Sequence, residues 1–336
     1  GGCDKTVPAL LMGAVSAGKH AVMLVAGPMM TGRYKGERLG ACTDCRRFWA
    51  QYRAGSVSQK EIDQIEGNLV VTSGTCAVMG TASSMAVIAE TLGVMLPNTA
   101  SIPAVHADRL RASEETGTVA AKMAIQGGPK LDQLITEESV ENALRVLLSV
   151  SGSTNAIIHL TAIAGRAGVE VDLKRFNELS DETPVLVDLK PVGTGYMEDF
   201  HSAGGLDGVL RVLASQLNLQ TLDVTGQSLE QRLQEDSSKQ ADQSVIRTLQ
   251  HPVDSKGGLI ALHGPVAPGG AILKRAAATP ALLEHEGRAV VFSSLEDLAA
   301  RIDSPDLDVA AEDILVLQNA GPRSPSGMPE AGYLPI

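Results

Sequence analysis

The sequence predicts an α/β protein, with a layered α/β/α domain over residues 1–248 followed by the start of a β-barrel-like domain over residues 249–336. Three observations carry this expectation. Strand-like apolar runs alternate with helix-length segments through about residue 215, the pattern of a layered α/β domain. A polar stretch, GQSLEQRLQEDSSKQADQ, then interrupts the alternation. From KGGLIALHGPVAPGGAILK onward, short β-type runs are separated by Gly/Pro turns.

Each element has a local reason. PALLMGAVSAG reads as a helix with Pro8 in its first turn, where a missing N–H costs nothing. HAVMLVAG reads as a buried strand, SQKEIDQIEG as a helix and NLVVTSG as a short strand entering a turn. AVMGTASSMAVIAETLG has helix length, and small residues on one side let another element approach closely. TEESVENALRVLLSV places Val140, Leu144, Leu147 and Leu148 on one face and acidic residues in its first turn, where the helix dipole favours them. STNAIIHLTAIAGRAG is a further helix, ended by glycine. In the second domain LIALHG, AVVF and DILVLQN are the strands, too few to close a barrel before the sequence stops at GYLPI.

Composition narrows the function classes. A formal charge of −11 argues against a nucleic-acid footprint, which needs clustered Lys and Arg. No apolar run reaches the roughly 18 residues of a membrane span. The expected setting is cytoplasmic, with a small-molecule substrate and neither nucleic acid nor membrane as partner. Cysteines stand at 3, 42, 45 and 76, all in the first quarter, a clustering that suggests metal or redox chemistry rather than a disulfide framework. Any one of them alone would read more simply as a small buried hydrophobe.

Two stretches carry the chemistry. In GGCDKT, paired glycines and the helix that follows put Cys3, Asp4 and Lys5 in a loop at a helix N-terminus, where backbone N–H groups stabilise thiolate and carboxylate. In VTSGTCAVMGTASSM a strand runs into a Gly-rich turn with Cys76 at the start of a helix. Two such cysteines are natural iron–sulfur ligands if the loops converge, but a cluster needs more than two. The CTDC pair, Cys42 and Cys45, has a common metal and redox spacing and could supply the rest. Glu330 in SPSGMPEAGYLPI, and Glu198, Asp199 and His201 in YMEDFHSAGG, read on their own as surface residues. The seven histidines show no zinc spacing, and there is neither a G-x-G-x-x-G nor a P-loop.

Seven stretches together resemble the IlvD/EDD dehydratase family in order and context. They are CDKTVPALLMGA, GTCAVMGTASSMA, LPNTASIPAVHADR, SGSTNAIIHLTAIAGRAG, LKPVGTGYMEDFHSAGGL, KGGLIALHGPVAPGGAILK and LVLQNAGPRSPSGMPEAGYLPI. GTCAVMGTASSMA and GACTDCRRFWAQYRAG are similar to the sugar-acid branch, that of L-arabinonate and D-xylonate dehydratases. The resemblance implies removal of water from a 2,3-dihydroxy carboxylate to give a 2-keto-3-deoxy acid. It implies a 2Fe–2S cluster with Cys3 and Cys76 among its ligands, and Mg²⁺ held by Asp4, by Lys5 as its carbamate, and by Glu330. Thiolates suit iron–sulfur chemistry, and hard oxygen donors suit Mg²⁺.

In the family a further cluster cysteine and a Mg²⁺-binding glutamate precede the CDK motif, and a general-base serine follows GYLPI. The sequence is therefore expected to be an internal fragment, inactive alone, of a homodimeric or homotetrameric enzyme. CTDC is not a ligand pair in that family. Two alternatives stay open: dihydroxyacid dehydratase of branched-chain amino-acid biosynthesis, and an iron–sulfur electron carrier or redox sensor using all four cysteines.

Overall fold

Helix α4 (Thr81–Thr91) explains most of the architecture, because every residue from Ala82 to Thr91 is buried. A helix apolar or small all round belongs in the middle of a core. The computed structural model describes residues 1–235, 241–321 and 323–324. In chain order the elements before α4 are α1 (Thr6–Ala17), β1 (Gly32–Tyr34), β2 (Glu37–Leu39), α2 (Ala41–Arg53) and α3 (Gln59–Leu69). After it come α5 (Ala107–Gln126), α6 (Leu131–Leu134), α7 (Glu137–Ser149), α8 (Asn155–Arg166) and α9 (Leu173–Glu182). Then follow α10 (Met197–Ser202), α11 (Gly205–Leu213), α12 (Leu229–Glu235), β3 (Ile260–Gly264) and β4 (Ala267–Leu273). The last are β5 (Ala289–Phe292), α13 (Leu295–Arg301) and β6 (Ile314–Leu317). The fold is α/β, and among the described residues no barrel closes.

Around α4 pack α1, α7 and α8. The predicted stripe of α7 is buried, with Val140, Leu144, Leu147 and Leu148 all inside. Its start is fixed by a reciprocal cap: Ser139 N donates to Thr136 Oγ1 at 3.3 Å, and Thr136 N donates to Ser139 Oγ at 2.9 Å. Small residues set the approach between α4 and the turn before α8. A Cβ on Gly152 would lie 2.3 Å from Leu147 Cδ1 and 2.8 Å from Ser84 Oγ.

The strands pair two by two. β1–β2 and β3–β4 are antiparallel hairpins, and β5–β6 is a parallel pair in register from Ala289↔Ile314 to Phe292↔Leu317. The β3–β4 hairpin is held to α9, where the Asn177 amide donates to Ala261 O at 2.9 Å and accepts from Ala261 N at 2.8 Å. Two sequence expectations fail at this level. HAVMLVAG runs as an irregular segment whose N–H groups find scattered partners, Met23 N donating to Val94 O and Ala26 N to Gly1 O, so no ladder forms. NLVVTSG finishes helix α3 and then leaves Val70 and Val71 exposed in a loop.

The chain divides into two compact units, one of Gly1–Cys45 with Gln59–Ala277, the other of Arg46–Ser58 with Ala278–Ile336. The first contains a buried charge cluster. Arg232 from α12 pairs with Glu90 of α4 and Asp207 of α11, and Glu90 also accepts from Asn98 N at 2.8 Å and Ala100 N at 2.7 Å. In the second unit, α13 crosses between the parallel strands over a core of Val290, Phe292, Leu298 and Ile302, and Arg53 Nη1 lies 3.5 Å from Asp303 Oδ1. Among the described residues no helix is long and apolar enough to cross a membrane.

Candidate functional site

The two cysteine loops meet through their neighbours. Gly2 has no side chain, and a Cβ there would stand 2.7 Å from Ala26 Cβ and 3.0 Å from Thr75 Cγ2. Thr75 N donates to Gly27 O at 2.9 Å, and Met29 N donates to Thr75 O at 2.8 Å. Gly74 sits at φ +133°, with its missing Cβ directed at Met29 N, so only glycine fits this turn. Residues 1–3, 26–29 and 74–76 thus lie side by side, and the loops bearing Cys3 and Cys76 share one neighbourhood. Cys3 is exposed, and Cys76 is half-buried against the cluster of Met29, Ala77, Val78 and Tyr196.

Asp4 and Lys5 form the turn that opens α1. Lys5 Nζ donates to Asp4 Oδ2 at 2.9 Å, the geometry of an ammonium facing a carboxylate. Lys5 also lines a groove of about 590 Å³ between α1 and α8, with Met12, Ser16, His159 and Arg166. His159 is buried, and its Nε2 has no hydrogen-bond partner. Burial pushes its pKa down, Asp4 works against that shift and Lys5 adds to it. At the other end of the groove, Arg166 Nη1 donates to Ser16 Oγ at 3.3 Å. With Lys5 beside His159 and Ser16 beside Arg166, α1 and α8 run parallel.

The starts of α4 and α8 also coincide. Thr81 Oγ1 and Ser153 Oγ are 2.7 Å apart, Asn155 Nδ2 donates to Thr81 Oγ1 at 3.4 Å, and Ser153 N donates to Ser84 Oγ at 2.9 Å. Helices α1, α4 and α8 therefore begin at one end of the bundle, and none has a side-chain hydrogen bond at its N-cap. Three helix starts bring their positive dipole ends together, which favours anions there, although at α8 Asn155 N already donates to Ser153 Oγ at 3.2 Å and Ala156 N to Ser153 O at 3.1 Å.

Sequence reasoning alone passed over a second polar cluster. Asp44, in the CTDC stretch, accepts from Gly40 N at 2.7 Å and Tyr196 OH at 3.2 Å, and Lys190 Nζ lies 3.2 Å from its Oδ1. Burial works to lower the pKa of Lys190, but hydrogen bonds to Tyr196 and Asp44 outweigh it and raise the value. This gives the CTDC stretch a structural part to play. Nearby, Arg38 Nη1 binds Asp199 Oδ1 at 2.8 Å and Glu198 Oε1 at 3.3 Å, while Thr31 Oγ1 donates to Glu198 at 2.6 Å. Burial pushes Asp199 up, and Arg38 with the Tyr196 N–H more than reverses this, holding the carboxyl below its usual range. Glu198 and Asp199 are thus clamped side chains, where the sequence suggested loose surface ones.

Among the described residues Cys3, Cys45 and Cys76 do not gather as a three-thiolate group; the three-ligand grouping present there is His106, Asp108 and His201. Glu330 lies outside the described residues.

Residues 1–232 match the family model described as dihydroxy-acid/6-phosphogluconate dehydratase N-terminal, and residues 244–336 match its C-terminal counterpart. An L-arabonate dehydratase of Azospirillum brasilense is 42% identical over 99% of this chain and 57% of its own length. A 6-deoxy-6-sulfo-D-gluconate dehydratase of Pseudomonas putida is 39% identical over 100% of this chain and 58% of its own length. A dihydroxy-acid dehydratase of Clostridium botulinum (strain Eklund 17B / Type B) is 35% identical over 98% of this chain and 59% of its own. The chain thus spans 57–59% of the length of these relatives. With both halves matched in order, the chain belongs to the dihydroxy-acid/6-phosphogluconate dehydratase family.

Proposed function

We propose that this chain forms part of a sugar-acid dehydratase, which removes water from a C5 or C6 aldonate such as L-arabinonate or D-xylonate and gives a 2-keto-3-deoxy acid. The observation that carries the reading is the meeting of the Cys3 and Cys76 loops beside Asp4, at the common start of α1, α4 and α8. Relatives named for sugar acids are 39–42% identical, against 35–36% for those named dihydroxy-acid dehydratases, and this favours the aldonate over the branched-chain substrate.

The donors fit the metals that the family resemblance implies. Cys3 and Cys76 present soft thiols from touching loops, suited to a 2Fe–2S cluster. Asp4 presents a hard carboxylate suited to Mg²⁺, with Lys5 joining it as a carbamate in place of its present ammonium, and Glu330 as a third ligand. When bound, the two centres supply Lewis acidity for the departing 3-hydroxyl and for the charge that develops as the C2 proton leaves. The protein's own part is electrostatic and positional. The positive dipole ends of α1, α4 and α8 favour the substrate carboxylate and the enolate-like charge. The Thr81–Ser153–Asn155 cluster fixes where the starts of α4 and α8 stand. The same reading extends to a cytoplasmic homodimer or homotetramer with its domain division near residue 248.

The test uses the full-length protein that contains this chain, purified anaerobically and reconstituted with iron, sulfide and Mg²⁺. Keto-acid formation is measured from L-arabinonate, D-xylonate, D-gluconate and 2,3-dihydroxyisovalerate. The expected result is a kcat/KM for one aldonate at least about tenfold above that for the branched-chain acid, a difference of about 1.4 kcal/mol in transition-state binding. A preference for 2,3-dihydroxyisovalerate would give the dihydroxyacid dehydratase reading instead. Replacing Cys3 or Cys76 by Ser should also remove the visible absorption of the cluster.

A further inference from the structure

A second constellation stands apart from the thiol loops in its chemistry. His106 closes the PAVHADR stretch as the N-cap of α5, and its Nδ1 accepts from Asp108 N at 3.1 Å. The same Nδ1 lies 3.4 Å from Asp108 Oδ2. Arg111 pairs with the other oxygen, Oδ1, so the carboxylate is turned with Oδ2 toward the imidazole. From α10, His201 stands edge-on to His106, with ring centroids 5.4 Å apart and planes at 72°. Its Nδ1 is 3.3 Å from Ser101 Oγ. One ligating atom from each of His106, Asp108 and His201 lies within 4.8 Å of the others.

We propose that His106, Asp108 and His201 bind a divalent transition-metal ion of the zinc class. Two imidazoles and one carboxylate suit Zn²⁺, Co²⁺ or Ni²⁺ and are a poor set for Mg²⁺, which prefers oxygen throughout. Donors held about 2.0–2.1 Å from a tetrahedral ion are about 3.4 Å from one another. The His106–Asp108 edge already has that length, and the ligating atom of His201 lies within 4.8 Å of both. The outer partners are also in place: Arg111 orients the carboxylate and Ser101 orients the His201 ring, as such partners do in metal sites. His106 is exposed and the other two are partly exposed, so water can complete the coordination. Binding replaces the cap bond from Asp108 N to His106 with a metal bond and links the start of α5 to α10. The sequence hides this site because His201 is far along the chain from the other two and no zinc spacing connects them.

The experiment titrates the chelator-treated full-length protein carrying Cys3→Ser and Cys76→Ser, which removes the thiols proposed for the cluster, with Co²⁺ and then displaces it with Zn²⁺. The expected signal is one equivalent of cobalt with weak visible d–d bands and no sulfur-to-cobalt charge transfer. His106→Asn keeps an N-cap acceptor while removing the imidazole, and His201→Gln keeps a polar group on α10. Each should weaken Zn²⁺ binding by at least about 100-fold, and Ser101→Ala by about tenfold, with the far-ultraviolet circular dichroism unchanged. Retention of full affinity by His106→Asn or His201→Gln overturns the proposal. So does the absence of cobalt d–d bands in the Cys3→Ser, Cys76→Ser background.

Discussion

Thr81 Oγ1 and Ser153 Oγ meet at 2.7 Å, tying the first residue of α4 to the turn that leads into α8. The contact holds two helix N-termini at one end of the bundle, so it bears on stability and on the site together. Ser153→Ala should cost about 1–2 kcal/mol in urea unfolding, the usual loss when one half-buried partner goes. In the full-length protein kcat/KM for the proposed dehydration should fall by more than the fraction unfolded explains. An unchanged kcat/KM would detach this helix pair from the chemistry.

Gly152→Ala tests the close approach behind the same turn. The new methyl would press on Leu147 Cδ1 and Ser84 Oγ, and Leu147 is fully buried. Overpacking of this kind costs about 1–3 kcal/mol. A melting temperature equal to that of the unsubstituted protein would show that the core yields there.

Arg232→Met should cost about 3–5 kcal/mol at pH 7, because it strands Glu90 and Asp207 without their cation. Burial already pushes Glu90 above its ordinary value, and Arg232 opposes that shift. Without Arg232 the folded-state pKa of Glu90 rises further above the unfolded one. Its protonated form then favours folding at low pH, and this benefit is lost as pH rises through the folded value. The deficit of the variant should be smallest near pH 4 and grow toward neutrality. Adding Glu90→Gln should recover part of it at pH 7.

Lys274, at the end of β4, is pushed down from 10.5 to about 8 by burial. Below about pH 8 the folded state carries an ammonium that water would hold more comfortably. Between about 8 and 10.5 the unfolded chain binds more protons than the folded one, so stability rises with pH across that window. Lys274→Met should raise stability at pH 7 by about 1–3 kcal/mol and lose its advantage above about pH 10. Urea midpoints across this range check it; a gain independent of pH would assign the effect to packing alone.

Much of the fold could be read from local pattern. The periodicity of α7, the small-residue run of α4 and the short runs that became β3, β5 and β6 all fall where expected. The failures share one cause. HAVMLVAG shows burial without naming a partner, and here the neighbours are Val94 and Gly1, so an apolar run becomes an irregular one. Cys3 and Cys76 stood out as residue types, but their approach depends on Gly2, Thr75 and Gly74 fitting together, which no spacing encodes. His159, Lys190 and the His106–His201 pair were invisible for the same reason. Their surroundings are assembled from segments far apart in sequence.

Arg46–Ser58 belongs with residues beyond 277, whereas everything between belongs to the other unit. On the ribosome this early segment must wait for its partner while more than 200 residues are made. Arg53 of that segment ends up against Asp303, a partner that during synthesis has not yet emerged. The larger unit can condense first, from the residues that precede and follow the 46–58 segment. The smaller one can only assemble late, since it must close a long loop before its contacts reward it. Translation pauses or chaperone capture after residue 277 would therefore act on the smaller unit while the larger one is already in place.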